Sequence, residues 1–214
     1  MLEARVLGVL IEKSHTVPDS YPLSLNALVA GCNQKTARDP VLGATDAEVQ
    51  VAVDALKGLN LTFESSGSRV ARYEHNMGRV MALPSQSVAL LALLCLRGAQ
   101  TSAELRANAE RLHRFADVSA VEGFLEELAE RSAEKGGPLV VKLPRAPGSR
   151  EARWMHLLCG AVDVGSTAGN VAPEDFVAAS ELAALKLGQD RLTREVQELR
   201  ALVERLYIEL GVER

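Results

Sequence analysis

The chain has 214 residues, of which 47% are hydrophobic, 4% aromatic and 24% charged. That length suits one large domain or two small ones plus an appendage, with cores built mainly from Leu, Val and Ala. A net charge of −4 excludes an overall attraction to nucleic acid or to an anionic membrane.

The three cysteines, Cys32, Cys95 and Cys159, are far apart and show no metal or redox spacing. Each reads as a small buried apolar residue of a reducing compartment. Glu3, Arg5, Glu12 and Lys13 interrupt the N-terminal apolar pattern, so no signal peptide is visible. The longest apolar run, Val88–Leu96, is too short to span a bilayer. The expectation is a cytoplasmic protein with no membrane partner.

In chain order, Leu2, Val6, Val9 and Leu10 recur at helical spacing, with Glu3, Arg5, Glu12 and Lys13 on other faces. This first helix should end before Thr16-Val17-Pro18. Pro18 and Pro22 keep the following stretch out of a helix interior. Ser24 is placed to cap a short helix carrying Leu25, Leu28 and Val29. Gly31 to Pro40 is polar and reads as irregular. Thr45 or Asp46 caps a third helix whose buried stripe is Val49, Ala52, Val53, Leu56 and Leu59. Leu61 and Phe63 then alternate with Thr62 and Glu64, a Ser-Gly turn follows, and Arg69–Tyr73 reads as the return strand.

The same order recurs after Pro84. Ser85–Leu96 is apolar on most sides and should be largely buried, with Gly98 ending it. Thr101 or Ser102 caps a helix containing Leu105 and Leu112, and Glu104 is placed for a capping box. Val118–Arg131 places Val121, Phe124, Leu125 and Leu128 on one face, and Gly136-Gly137-Pro138 breaks it. Leu139–Leu143 and Ala152–Leu158 are the paired strands. The fold class is therefore mainly α with small β-hairpin wings (α+β): two tandem winged helix-turn-helix domains, residues 1–79 and 80–160, then a linker, 161–175.

Residues 176–214 carry a heptad. Leu182, Leu185, Gln189, Leu192, Val196, Leu199, Val203, Leu206 and Leu210 alternate three and four apart, the spacing of a coiled-coil seam. The expectation is a homodimer through Leu182, Leu185, Leu192, Val196, Leu199, Val203, Leu206 and Leu210. The alternative is a long amphipathic helix packed on its own protein; the apolar surplus at Leu202 and Ile208 keeps that alternative, or a larger bundle, open.

A winged helix usually places its third helix in the major groove and touches the backbone with its wing. Phosphates require Lys and Arg. The first third-helix carries Asp46, Glu48 and Asp54 against Lys57. The second carries Glu122, Glu126, Glu127, Glu130 and Glu134 against Arg131 and Lys135. Both are wrong for a groove. Basic residues sit elsewhere: Lys35 and Arg38 before the first such helix, Arg69, Arg72 and Arg79 around the first wing, and Lys142, Arg145, Arg150 and Arg153 on the second. The candidate nucleic-acid contacts are Lys35, Arg38, Arg69 and Arg72; otherwise these are solvated surface charges.

The densest polar segment runs from Glu12-Lys13 through Pro18-Asp19, Tyr21 to Leu28, Cys32-Asn33-Gln34-Lys35 and Arg38-Asp39-Pro40-Val41, with Gly67 to Val70 later. In these motifs the chain resembles the YceH family of bacterial proteins. It departs from the family pattern at Val17, where Thr is usual, and at Gly43-Ala44, where a bulkier residue is usual. The resemblance covers both winged units and the heptad tail, and it implies a tandem winged-helix fold with no enzyme chemistry. On the residues alone, Asp19, Asn26, Asn33, Gln34, Arg38 and Asp39 are suited to bonding backbone in irregular chain. The functional reading makes Asn33, Gln34, Lys35 and Arg38, with Arg69, a ligand or nucleic-acid surface.

Enzyme signals are weak. His15, His75, His113 and His156 lack metal-ligand spacing, and Glu110 with His113 has no second pair to complete a site. There is no nucleophile motif and no phosphate loop. The expectation is no catalytic residues, no metal and no cofactor. Two functions remain: a regulatory DNA-binding protein acting through the first unit's loop and wing, or a protein–protein adaptor with no DNA binding.

Overall fold

The helices Leu2–Thr16 and Ser85–Arg97, both largely buried, pack against each other within one apolar core. The computed structural model describes residues 1–65, 70–145, 148–149 and 151–160. The heptad segment, the 161–175 linker, Arg69 and Arg150 lie outside the described residues.

The first half runs α1 (Leu2–Thr16), β1 (Leu23–Ser24), α2 (Leu25–Cys32), α3 (Asp46–Gly58), β2 (Thr62–Ser65) and β3 (Arg72–His75). A short helix, α4 (Met77–Val80), leads to α5 (Ser85–Arg97), α6 (Ser102–Ala109), α7 (Val118–Ala129), β4 (Val140–Lys142) and β5 (Trp154–His156). The fold is mixed α+β, about half helical among the described residues, with small antiparallel sheets.

The first sheet has the order β1-β3-β2, with Leu23 opposite Tyr73 and Thr62 opposite His75. In the second half β4 pairs with β5, Val140 opposite His156. An isolated bridge between Gln100 and Trp154 stands where β1 stands in the first half. The Gln100 side chain, buried, donates to Leu93 O at 3.1 Å and accepts from Asn108 Nδ2 at 2.7 Å. The order of helix, edge pairing, two helices and hairpin thus occurs twice.

The caps follow local chemistry. Ser24 accepts from Ala27 N, and Asp117 accepts from Ala120 N at 2.8 Å. Thr45 with Glu48 and Thr101 with Glu104 each form a reciprocal capping box. Gly98 ends α5 with φ +68, a region that costs a side-chain-bearing residue energy.

Several sequence expectations are corrected. Helix α1 is buried from Ala4 to Ile11 on all sides, because α3 and β3 cover one side and α5 another. Arg5, expected on a polar face, is therefore 2% exposed. On β2 the expected alternation is inverted after Leu61: Thr62 is buried, its hydroxyl facing Val53 O, whereas Phe63 is 40% exposed. The return strand is Arg72–His75 rather than Arg69–Tyr73. Cys32 and Cys95 are buried as expected, but Cys159 is exposed because it lies past the end of β5. Strand β1 and helix α4 are too short to leave a periodic signal.

Glycines allow close approaches near the centre. A Cβ on Gly8 would lie 3.0 Å from Leu96 Cγ, and one on Gly31 would lie 2.6 Å from Val9 Cγ1. Val9 is fully buried and β-branched, so it cannot turn aside without cost. Gly31→Ala should lose about 1–3 kcal/mol by overpacking, and adding Val9→Ala should relieve the clash. Urea unfolding of the single and double variants measures both.

Candidate functional site

The polar segment between α2 and α3 is held by two buried guanidinium groups. Arg38 comes from the loop after α2, and its side chain has no exposed surface. It donates from Nε to Gly31 O at 3.0 Å and from Nη1 to Ala37 O at 2.9 Å. Its two terminal nitrogens grip Glu12 of α1 bidentately, at 3.1 Å and 2.6 Å. Arg5, two turns earlier on α1, donates to Cys32 O, Asp39 O and Pro40 O at 3.3, 3.1 and 2.8 Å. Arg5 Nε, also buried, has no partner among the described residues.

Asn33 closes the loop from the other side. Its amide donates to Ala44 O at 2.7 Å and accepts from Ala44 N at 2.8 Å, copying a strand pairing across the loop. Asp39 N donates to Leu96 O at 2.9 Å, which ties the loop to α5. Lys13 lies 3.4 Å from Glu12 and 3.5 Å from Gln34.

These contacts set the charge state of the loop. Burial by itself would raise the Glu12 pKa, but the hydrogen bonds and charge of Arg38, helped by Lys13, hold it below the usual carboxylate range. The Cys32 thiol is pushed up to about 11 by burial, so it is not a nucleophile at neutral pH.

His75 of β3 lies behind α1. Ser14 Oγ donates to Ile11 O at 2.8 Å, which leaves its oxygen to accept from His75 Nε2 at 3.4 Å. The neutral tautomer with the proton on Nε2 follows. His75 Nδ1 is buried without a partner among the described residues, and burial with the nearby His15 lowers the ring's pKa to about 4. Tyr21 accepts from His75 N at 2.7 Å and sits edge-on to the ring.

Among the sequence-derived contact residues, Lys35 and Arg72 are exposed and Arg38 is buried. Arg72 donates to Pro22 O at 2.8 Å and faces solvent from β3. Arg38 is spent on internal partners. Sequence reasoning overlooked the roles of Arg5 and Glu12. Seven residues separate them, so they share a face of α1, and this spacing is the signal that could have found them.

The outer face of α3 is apolar and acidic. Val51 is 69% exposed, and Leu59, just past the helix end, is 63% exposed. Ala47 and Ala55 are exposed on the same ridge, with Asp46, Glu48 and Asp54 beside them. The single lysine of α3, Lys57, is paired with Glu64 of β2 at 2.8 Å. On α7, Glu126 and Glu127 are exposed, with Glu130 just beyond the last turn. Among the described residues no group of three or more His, Cys, Asp or Glu could hold a metal ion. No helix among them is long and apolar enough to cross a membrane.

These features define a mixed α+β protein organised around a charge-anchored loop. Residues 1–149 match the family model described as "Protein of unknown function, DUF480". A UPF0502 protein of Burkholderia multivorans is 63% identical over 213 residues, spanning 99% of this chain and 89% of the relative. One from Burkholderia pseudomallei is 62% identical over 212 residues with the same coverage. One from Leptothrix cholodnii is 61% identical over 214 residues, spanning 95% of the relative. The chain belongs to the DUF480 (UPF0502) family of bacterial proteins.

Two pH and mutational outcomes follow from the buried charges. Removing one partner of the Glu12–Arg38 pair, by Glu12→Gln or Arg38→Met, should cost about 3–5 kcal/mol at neutral pH, because the other charge stays buried. The folded pKa of Glu12 is depressed, so its contribution is present above the ordinary carboxylate value and lost as pH falls through the folded one. Chemical denaturation of Glu12→Gln should therefore show a flatter acid limb below about pH 4.5 than the parent protein.

His75 acts in a higher window. Its folded pKa of about 4 lies below the ordinary 6.5, so the unfolded chain takes up the proton first. Stability should fall by about 3 kcal/mol as pH drops from 6.5 towards 4, with His156, also depressed by burial, adding in the same direction. Denaturation midpoints of His75→Gln across that window should be less steep than those of the parent.

Proposed function

We propose that this protein is a non-enzymatic interaction module of two successive winged-helix units, whose first unit docks a protein partner through the outer face of α3. The β1-β3-β2 order supports the winged-helix reading, as do the α2–α3 pair before the hairpin, the repetition of this plan in the second half and the resemblance to the YceH family. In the DNA readers of this class, α3 would enter the major groove. Here the observation that carries the reading is the charge of that face. Exposed Val51, Ala55 and Leu59 stand among acidic groups, and Lys57 is neutralised by Glu64.

A phosphate backbone brought to this face would meet carboxylates, with no counterion release to offset the repulsion. A basic, apolar-centred protein surface would be attracted and would bury the valine and leucine. The acidic face of α7 extends the same argument to the second unit. Dimerisation through the heptad of 182–210 belongs to the same proposal and would present two such faces together.

A second reading keeps DNA as the partner, contacted by the loop and wing alone. Exposed Lys35 and Arg72 favour it. Anisotropy titration with random-sequence and genomic duplexes at two salt concentrations separates the two. The docking reading expects no salt-sensitive binding at micromolar protein. Salt-sensitive binding that weakens in Lys35→Ala and Arg72→Ala at every sequence would replace it with the DNA reading. On the docking reading, Val51→Asp leaves the fold intact and abolishes co-purification of the partner that the parent protein retains.

A further inference from the structure

We propose that the cleft between the start of α5 and the end of α7 binds a small zwitterion of the α-amino-acid type, its carboxylate on the α5 side and its ammonium on the α7 side. The proposal is independent of the docking face on α3. The cleft has a volume of about 420 Å³ and is bordered by Pro84, Ser87, Glu127, Glu130, Arg131 and Lys135.

On the α5 side the groups are donors. Pro84 is the N-cap residue and offers no side-chain cap, and the first turn carries no acidic residue. The first bond into the helix is Val88 N to Pro84 O, so the amides of Ser85, Gln86 and Ser87 have no acceptor within α5. Ser87 is 2% exposed, borders the cleft, and its hydroxyl has no partner among the described residues.

Arg131 adds a charge. A guanidinium carries five N–H donors. Among the described residues one of them is used, from Arg131 Nη2 to Met81 O at 2.6 Å, and the buried Nη1 has no partner. A carboxylate is the acceptor a guanidinium favours. Lys135 adds a second positive charge at the margin.

On the α7 side the groups are acceptors. Glu127 and Glu130 border the cleft, and neither forms an ion pair among the described residues. Glu127 belongs to the last turn of α7 and Glu130 follows its end, the negative pole of the helix, although the carbonyls of Glu126 and Leu128 there accept from Glu130 N and Leu139 N. The positive end of one helix and the negative end of another thus border one cavity. A simple anion would answer the first and be repelled by the second; an amino acid carries both poles.

The test is NMR titration of the full ¹⁵N-labelled chain with free amino acids one at a time, using acetate, methylammonium and inorganic phosphate as single-pole controls. The expected result is saturable shifts at Ser85–Ser87 and around Arg131 with at least one amino acid, tighter than with any control. Ser87→Ala and Glu127→Gln, which leave the Met81 anchor intact, should each weaken that binding about tenfold. Arg131→Gln should abolish it. The proposal fails if no amino acid shifts these amides. It also fails if acetate or phosphate binds as tightly as the amino acid and Glu127→Gln changes nothing, which would describe an anion site only.

Discussion

The buried Arg38–Glu12 pair, with Arg5 beside it, is the constraint on which the first half depends. The segment between α2 and α3 is long, polar and almost without regular structure, yet its backbone comes against the apolar helix α1. The last carbonyls of α2, at Gly31 and Cys32, and those of Ala37, Asp39 and Pro40 in the segment itself all need donors. Two guanidiniums, with fixed forks of donors, satisfy them from inside. Such a pair is not a large source of stability, since removing two ions from water offsets much of their attraction. Its consequence is geometric: the loop path that brings Asp39 O and Pro40 O to Arg5 also seats Arg38 on Glu12 of α1.

That path also joins the halves. Asp39 N bonds to Leu96 O of α5, while Gly8 lets α1 approach the same stretch of α5 closely. The core is continuous from Val6 and Leu10 through Leu90 and Leu94 to Leu125 and Trp154. Neither central helix is amphipathic in the ordinary sense, because each is covered on more than one side. Two of the polar residues they carry, Arg5 and Ser87, are consequently buried. One of these has found carbonyls to bond, and the other borders a cleft.

Much of the element order was legible because it is written in local chemistry. Ser24, Thr45, Thr101 and Gly98 act at helix ends, where the chain must satisfy its own backbone, and the structure uses all four. Val49, Ala52, Val53 and Leu56 of α3 and Val121, Leu125 and Leu128 of α7 were readable as buried from period alone, but Leu59, counted in the α3 stripe, falls past the helix end and is exposed, and Phe124 is only half-buried. What was not readable depends on partners remote in sequence. Arg5 looks like a surface residue until Asp39 and Pro40 are folded over it. Thr62 takes the inward place that Phe63 was expected to share because Val53 O offers its hydroxyl an acceptor. Of the contact residues, Lys35 in the loop before α3 and Arg72 on the first hairpin are exposed. Arg38 was open to two readings, and its internal bonds are those of a loop anchor.

The position of Cys159 has a practical side. The chain holds three thiols. Burial raises the pKa of Cys32 and Cys95 and shuts both away, while Cys159 stands in solvent just beyond β5. A maleimide or a spin label offered to the native molecule will thus attach at one address without mutagenesis. That address lies at the base of the second hairpin, a vantage from which movements of this hairpin can be followed by fluorescence or paramagnetic relaxation.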